Sequence, residues 1–567
     1  MPTAATISVK ETLDLLDGTF LGVSQGVVKG QYALWLGSGI SRDRVVGLDG
    51  VLAKLIEFLR GNAKADPDCV YRKALERVLD MAAPSADEKA AIDISRPSTD
   101  WPCLPSLLRR LWKQYADVLS VEVGAEKLDY PLWVGLDFAN TFAKQDADAE
   151  HLAIGMLALE GVVTELATAN WDGLLEAAMR ELGYPETFYR ITVTGEDLRG
   201  PAAAAVLYKF HGCALRAIAQ EDVYRPLLVA RAAQITGWMS NGTFKIVRDQ
   251  LQALAQRSRT LMIGMSAQDK NIQNLFGTVG ALKGWKWTDQ PTPIVFSAQE
   301  LETHQKDVLN IAYGNEVYEQ NRAAICNAAC LPAYGKPLLL GLLLTVLAAK
   351  LQILASDVDA PALDAAAQDA INSGIKRLRD RVAEAGNANR LGLAKGIAAG
   401  LARGRHQIQN GASPAGMPMY FPVDNESPHQ MKGMPRTVAT GQREAAAALG
   451  LIGLADEAAE WTASVDDPTD PRSGALRLTS SNATARVFFA ANDENITSLM
   501  DCGAFDEDDP DVVLICSRNV SDRQQRSPKA NLRDGKIGPR YLAFGPMLRD
   551  AGSLAELQEY FRSEVAI

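Results

Sequence analysis

Four short clusters in this sequence carry residues suited to holding a polar ligand and moving a proton. They are Gly37-Ser38-Gly39-Ile40-Ser41, Thr168-Ala169-Asn170-Trp171-Asp172, His211-Gly212 and Gly264-Met265-Ser266-Ala267-Gln268-Asp269. Glycines at a turn let a diphosphate approach backbone N–H groups at a helix start. A histidine with an ordinary pKa of about 6.5 can accept a proton near neutral pH. Each cluster alone has a plainer reading. Gly37-Ser-Gly39 also describes an ordinary strand-to-helix turn, Asn170 and Asp172 suit the cap of a helix starting near 173, and a single histidine after a strand is often structural. His151, His304, His406 and His429 show no metal spacing and read as structural or surface residues.

The elements around these clusters change their weight. Residues 10–28 read as helical. A strand is predicted at 32–36, followed at once by the glycine turn and a periodic helix over 51–60, which is the opening unit of a nucleotide-binding α/β domain. Residues 62–158 read mostly as helix. Further strands are predicted at 162–167, 205–210, 260–264 and 293–296, and four of the five end in a glycine turn or polar cluster. Ligands of an open parallel sheet bind at the carboxyl ends of its strands. If these strands share one sheet, the clusters line one crevice, and Asp269 becomes a candidate for an adenine-ribose hydroxyl.

From about 323 the texture becomes rich in Ala, Leu and Gly, with helices predicted at 337–355, 362–385, 390–407 and 441–465. The apolar run 338–349 is shorter than the ~20 residues of a spanning helix, so a buried core helix or subunit interface is expected rather than a membrane segment. The Pro-, Met- and Gly-rich stretch 411–435 is long for a structureless connection, which points to a functional or mobile loop. The end reads as α/β, with strands at 475–478, 485–490 and 511–517 and a closing helix at 553–561. The expected organisation is a catalytic domain over 1–322, a mainly helical region over 323–470 and a small α/β domain over 471–567.

Composition bounds the function. The chain has 567 residues and a formal net charge of −11, so general polyanion binding is not expected. Seven scattered cysteines form no disulfide framework or zinc spacing, and the first 16 residues lack a signal-peptide core. Reduced thiols and a cytoplasmic location are the expectation. Residues 501–511 hold six acids, and 518–540 hold seven basic residues against Asp522 and Asp534. These read as solvated loops, or as a docking surface without the interleaved aromatics that single strands stack on.

In order, Gly-Ser-Gly-Ile-Ser, Thr-Ala-Asn-Trp-Asp, His-Gly and Gly-Met-Ser resemble the sirtuin motifs G-A-G-I-S, T-Q-N-I-D, H-G and G-x-S over roughly residues 20–300. The resemblance implies a Rossmann-like parallel sheet with helical insertions and NAD as substrate. Asn170 would orient the nicotinamide ribose and an attacking water, Asp172 would bind the nicotinamide carboxamide, and His211 would accept a proton. Backbone groups at Gly37, Ser38 and Gly39, with Ser41 beside them, would hold the diphosphate, and Gly264 and Ser266 would contact the adenosine half. Two departures matter. Arg42-Asp43-Arg44-Val45-Val46-Gly47 replaces the P-D-F-R stretch of the protein deacylases, and both zinc-binding C-x-x-C pairs are missing, so no zinc is expected. The pattern looks like the zinc-less sirtuin-like NAD hydrolases of bacterial antiphage defence, most like the subunit paired with a hexameric HerA-type ATPase. That resemblance implies NAD glycohydrolase activity, a homo-oligomer and gating by a partner. The alternatives are the sirtuin-like subunit of a short Argonaute system with guide nucleic acid, an NAD-dependent protein deacylase, and a non-catalytic NAD or ADP-ribose sensor.

Overall fold

The computed structural model describes residues 2–143, 146–200, 202–282, 284–520 and 538–567. Seven strands form one parallel sheet: β1 (Tyr32–Leu36), β2 (Glu165–Thr168), β3 (Tyr189–Thr192), β4 (Ala205–Lys209), β5 (Arg259–Ile263), β6 (Ile294–Ser297) and β7 (Cys330–Leu331). Their spatial order is β3-β4-β2-β1-β5-β6-β7. The fold is the expected Rossmann-like α/β arrangement. All five residues of β1, Tyr-Ala-Leu-Trp-Leu, are buried, as a central strand covered by helices on both faces requires.

The register levels the strand ends. Lys209 pairs with Thr168, Thr168 with Leu36, Leu36 with Ile263, and Ile263 with Ser297. These residues form one row across the sheet; the Thr168 cluster starts in that row, and the other three start one or two positions beyond it. The chain leaving β1 returns on the β2 side, while the chain leaving β5 goes to β6 on the other. Such a divergence is where open α/β sheets bind ligands.

A helical insertion between β1 and β2 has its own core, built on Leu52, Leu55, Leu107, Phe138 and neighbours. The apolar run lies in a 22-residue helix, Gly335–Ser356, long and apolar enough to cross a membrane by length and composition, yet 72% of its apolar window is buried within the fold. It is longer than its sequence suggested but is a core helix, as expected. It packs on helices Val9–Asp17, Ala149–Leu159, Ala365–Ala385 and Gln442–Glu457. The last two approach closely at glycines: a Cβ on Gly374 would sit 2.0 Å from the Gly450 carbonyl oxygen.

A second sheet combines β8 (Thr462–Ser464), β9 (Leu476–Thr479), β10 (Thr484–Ala490), β11 (Val512–Cys516) and β12 (Arg540–Ala543) in the order β12-β11-β10-β9-β8. The helix expected to reach 465 ends at Glu457, and Ala459 turns the chain with φ of +58° before β8 begins. The expected domain limit at 322 falls inside helix Asn315–Ala329, which delivers the chain to β7 of the first sheet. The 411–435 loop is anchored to the domain of the seven-stranded sheet. Tyr420 is fully buried, its N–H donates to the Leu182 carbonyl at 3.0 Å, and its carbonyl accepts from Tyr184 Oη at 2.8 Å.

In the acidic run, Asp506 and Asp509 pair with Arg472, and Asp509 and Asp511 with Arg486. These carboxylates therefore serve the domain's own structure. Most of the basic stretch, 521–537, lies outside the described residues.

Candidate active site

The turns leaving β1 and β5 interlock backbone against backbone. The Gly37 N–H donates to the Ile263 carbonyl and the Gly39 N–H to the Gly264 carbonyl, both at 2.9 Å. A Cβ on Gly37 would lie 2.3 Å from the Gly264 carbonyl oxygen, and one on Gly39 2.6 Å from Gly264 Cα. Gly264 has φ of +65°, a conformation that costs any other residue strain. These glycines are therefore demanded by loop packing. The Gly37 and Gly39 amides, expected to hold a diphosphate, are both donated to the end of β5 and its turn. Of that trio, Ser38 N–H is the one with no bond to that turn.

Beyond β2, Thr168 Oγ1 donates to the Leu36 carbonyl at 2.9 Å and accepts from the Asn170 N–H at 3.0 Å. This directs the half-buried Asn170 side chain across β1, where Nδ2 donates to the Gly37 carbonyl at 3.1 Å and to Ser41 Oγ at 3.2 Å. Ser41 Oγ in turn donates to Asp172 Oδ2 at 2.8 Å. Asp172 Oδ1 accepts from the Leu174 N–H at 3.2 Å, so the carboxylate touches the start of helix Leu174–Glu181 as well as Ser41. Three predicted residues thus form one hydrogen-bonded set at the ends of adjacent strands.

The β4 end is joined to this set by contacts that the sequence did not suggest. Trp171 Nε1 donates to the His211 carbonyl at 2.9 Å, and the Ala214 N–H donates to the Trp171 carbonyl at 2.8 Å. Lys209, fully buried, donates from Nζ to the Asp172 carbonyl and to Glu176 Oε1, both at 2.5 Å. Burial opposes its charge, but Cys213, Glu176 and Asp172 outweigh that and hold its pKa above the usual lysine range. A lysine inside an otherwise apolar strand was the available signal. Trp171 also packs on Phe142 of the helical insertion at 5.3 Å between ring centroids, so the insertion roofs this side.

The His211 ring lies between Phe210 (4.8 Å) and Trp238 (6.1 Å), and its Nε2 is 3.2 Å from Asp269 Oδ2. Burial pushes the imidazole pKa down and Asp269 pulls it up, with burial the larger effect. Burial therefore favours the neutral ring, the form able to accept a proton. Asp269 is thus placed against His211, while Ser266 stands exposed on the same loop. A separate cavity of about 390 Å³ is lined by Asp148, Lys336, Asn387, Asn389, Arg390 and Leu391, and contains none of the predicted site residues. Among the described residues no group of three or more His, Cys, Asp or Glu side chains is disposed to hold a metal.

A family model described as a SIR2-like domain matches residues 164–318. The match begins at β2 and includes Asn170, Asp172, His211, Gly264, Ser266 and Asp269, while Gly37–Ser41 lies upstream of it. The match covers about a quarter of the 567 residues, and over that segment the chain is similar to SIR2-like domains, which use NAD as substrate. No curated protein matches the chain.

Proposed function

We propose that the protein is an NAD glycohydrolase, converting NAD and water to ADP-ribose and nicotinamide. The observation that carries this reading is the Asn170–Ser41–Asp172 hydrogen-bonded set beside His211, at the level ends of β1, β2 and β4. The C–N bond to nicotinamide breaks and its electron pair leaves with the neutral base. Water attacks the oxocarbenium-like carbon of the ribose, and its proton passes to His211. Asn170 orients the ribose and the water, Asp172 receives the carboxamide, and positioning supplies much of the rate.

A peptide deacylase is disfavoured by the stretch between Asn170 and His211. It carries no cysteines, and its elements are helix Leu174–Glu181, β3, β4 and two short 3-10 turns, Glu186–Phe188 and Glu196–Arg199. Unrestrained NAD hydrolysis would be toxic, so the reading includes gating by self-assembly or by a HerA-type hexameric ATPase, in an antiphage role that depletes NAD. Copurification of such an ATPase would support that pairing, and copurification of a short Argonaute with guide nucleic acid would support the alternative.

The test is nicotinamide release from NAD by purified protein, alone and with candidate partners. Asn170→Ala and His211→Ala are expected to lower it by roughly 10²-fold or more. Unchanged release in both variants would contradict a catalytic role for this crevice.

A further inference from the structure

His211 and Asp269 belong to opposite flanks of the crevice. His211 follows β4 and Asp269 follows β5, and β2 and β1 lie between those strands. Their contact at 3.2 Å nevertheless joins the two flanks. Both partners are held on their own sides. The His211 carbonyl accepts from the Val229 N–H and from Trp171 Nε1, each at 2.9 Å. Asp269 caps helix Lys270–Ala281, its Oδ1 accepting from the Asn271 N–H at 2.8 Å. The intervening loop is tied by Gln305 Nε2 to the Met265 carbonyl at 2.8 Å and by Gln273 Nε2 to the Ala267 carbonyl at 3.1 Å.

Of the two ring nitrogens of His211, only Nε2 is sealed from water with no formed hydrogen bond. A proton there needs an acceptor, and Asp269 Oδ2 is the carboxylate oxygen within reach. We propose that Asp269 is a positioning residue that holds the proton of His211 on Nε2 and so presents Nδ1 as the base. The kinetic consequence rests on the NAD-hydrolysing reading, and the geometric one does not. When a water or ribose hydroxyl gives its proton to Nδ1, the imidazolium keeps its Nε2–H facing the Asp269 carboxylate. This replaces the adenine-ribose role expected from sequence, because the carboxylate is divided between the ring and the helix cap. Asp269 is the charged group acting on His211, and it also adds to the raised pKa of Tyr115, which burial chiefly sets, so the helical insertion stands close by.

Asp269→Asn is the informative variant, since asparagine caps a helix as well as aspartate does. The first readout is the ¹⁵N spectrum of the His211 ring in the full chain, assigned by comparison with His211→Gln. The parent should carry its neutral-state proton on Nε2, and Asp269→Asn should lower the ring's pKa. A proton on Nδ1 in the parent, or a spectrum unmoved in Asp269→Asn, overturns the proposal whether or not NAD is the substrate. The second readout is NAD turnover. We expect kcat to fall roughly 10²-fold with KM within about threefold, the acid limb of the pH profile to move to lower pH, and Asp269→Glu to recover part of the loss. A raised KM with kcat unchanged would return Asp269 to substrate binding. Failure of the parent to turn over NAD in any arm would count against the NAD reading and leave the ring spectrum to decide the geometry.

Discussion

Ser41 and Asp172, 131 positions apart in the chain, meet through a 2.8 Å hydrogen bond, and Asn170 Nδ2 reaches the same Ser41 hydroxyl. One buried oxygen therefore organises both side chains assigned to the nicotinamide end. Ser41→Ala leaves two polar groups short of a partner. A stability loss of about 1–3 kcal/mol is expected. Nicotinamide release should fall by roughly 10–10²-fold, because the lost contacts fix orientation. Chemical denaturation and turnover check the two effects separately, and a variant matching the parent in both would remove Ser41 from the account.

The interlocked turns make a second prediction. A Cβ at Gly264 meets the Ile40 N at 2.7 Å in a backbone conformation with φ of +65°. Gly264→Ala forces the β5 turn away from the β1 turn and should cost roughly 1–3 kcal/mol. Gly47→Ala is the control, since a Cβ there meets nothing within 4 Å. Equal melting temperatures for the two variants would show that the turns do not interlock.

The strand ends were legible because apolar runs and the glycine or polar clusters after them announce themselves locally. Strand β3, Tyr-Arg-Ile-Thr, was missed because its two central residues are only half-buried, and β7 because it is two residues long. The identities of Asn170, Asp172 and His211 were readable, yet the residues that fix them were not. The sequence shows neither that Lys209 and Glu176 pair in the core nor that Trp171 reaches the His211 carbonyl, since both depend on register between β2 and β4. Nor does the sequence show that Gly37 and Gly39 pack against the Gly264 turn.

Helix Ala149–Leu159 carries two buried titratable neighbours with opposite effects on stability. Burial raises the Glu150 pKa to about 8, so its neutral form is favoured on folding. Stability falls as pH rises from the unfolded value near 4.5 through 8. Burial lowers the His151 pKa to about 3, so stability falls as pH drops from about 6.5 toward 3. The two windows overlap from about pH 4.5 to 6.5, where the opposing slopes offset each other, so the pair's contribution to stability should be greatest there. Glu150→Gln should flatten the alkaline side, a gain of up to a few kcal/mol at pH 8. Melting temperatures of parent and variant from pH 4 to 9 check this, and parallel curves would contradict it.

The strap that holds the helical region to the domain of the seven-stranded sheet centres on a fully buried ion pair. Lys350 Nζ donates to Glu160 Oε2 at 2.6 Å, and Tyr420 Oη donates to Glu160 Oε1 at 2.5 Å. Lys350→Met strands the Glu160 charge and should cost roughly 3–5 kcal/mol. Adding Glu160→Gln to Lys350→Met should recover much of that loss. A double variant as unstable as the sum of the singles would mean that the pair does not act as a unit.

The most direct measurement follows nicotinamide and ADP-ribose together, from NAD alone and with an acyl-lysine peptide. The purified chain is assayed by itself and with a HerA-type ATPase. Equal amounts of the two products without peptide, abolished by Asn170→Ala and by His211→Ala, are the predicted result. Turnover that depends on the acylated peptide, or none under any of these conditions, would contradict it.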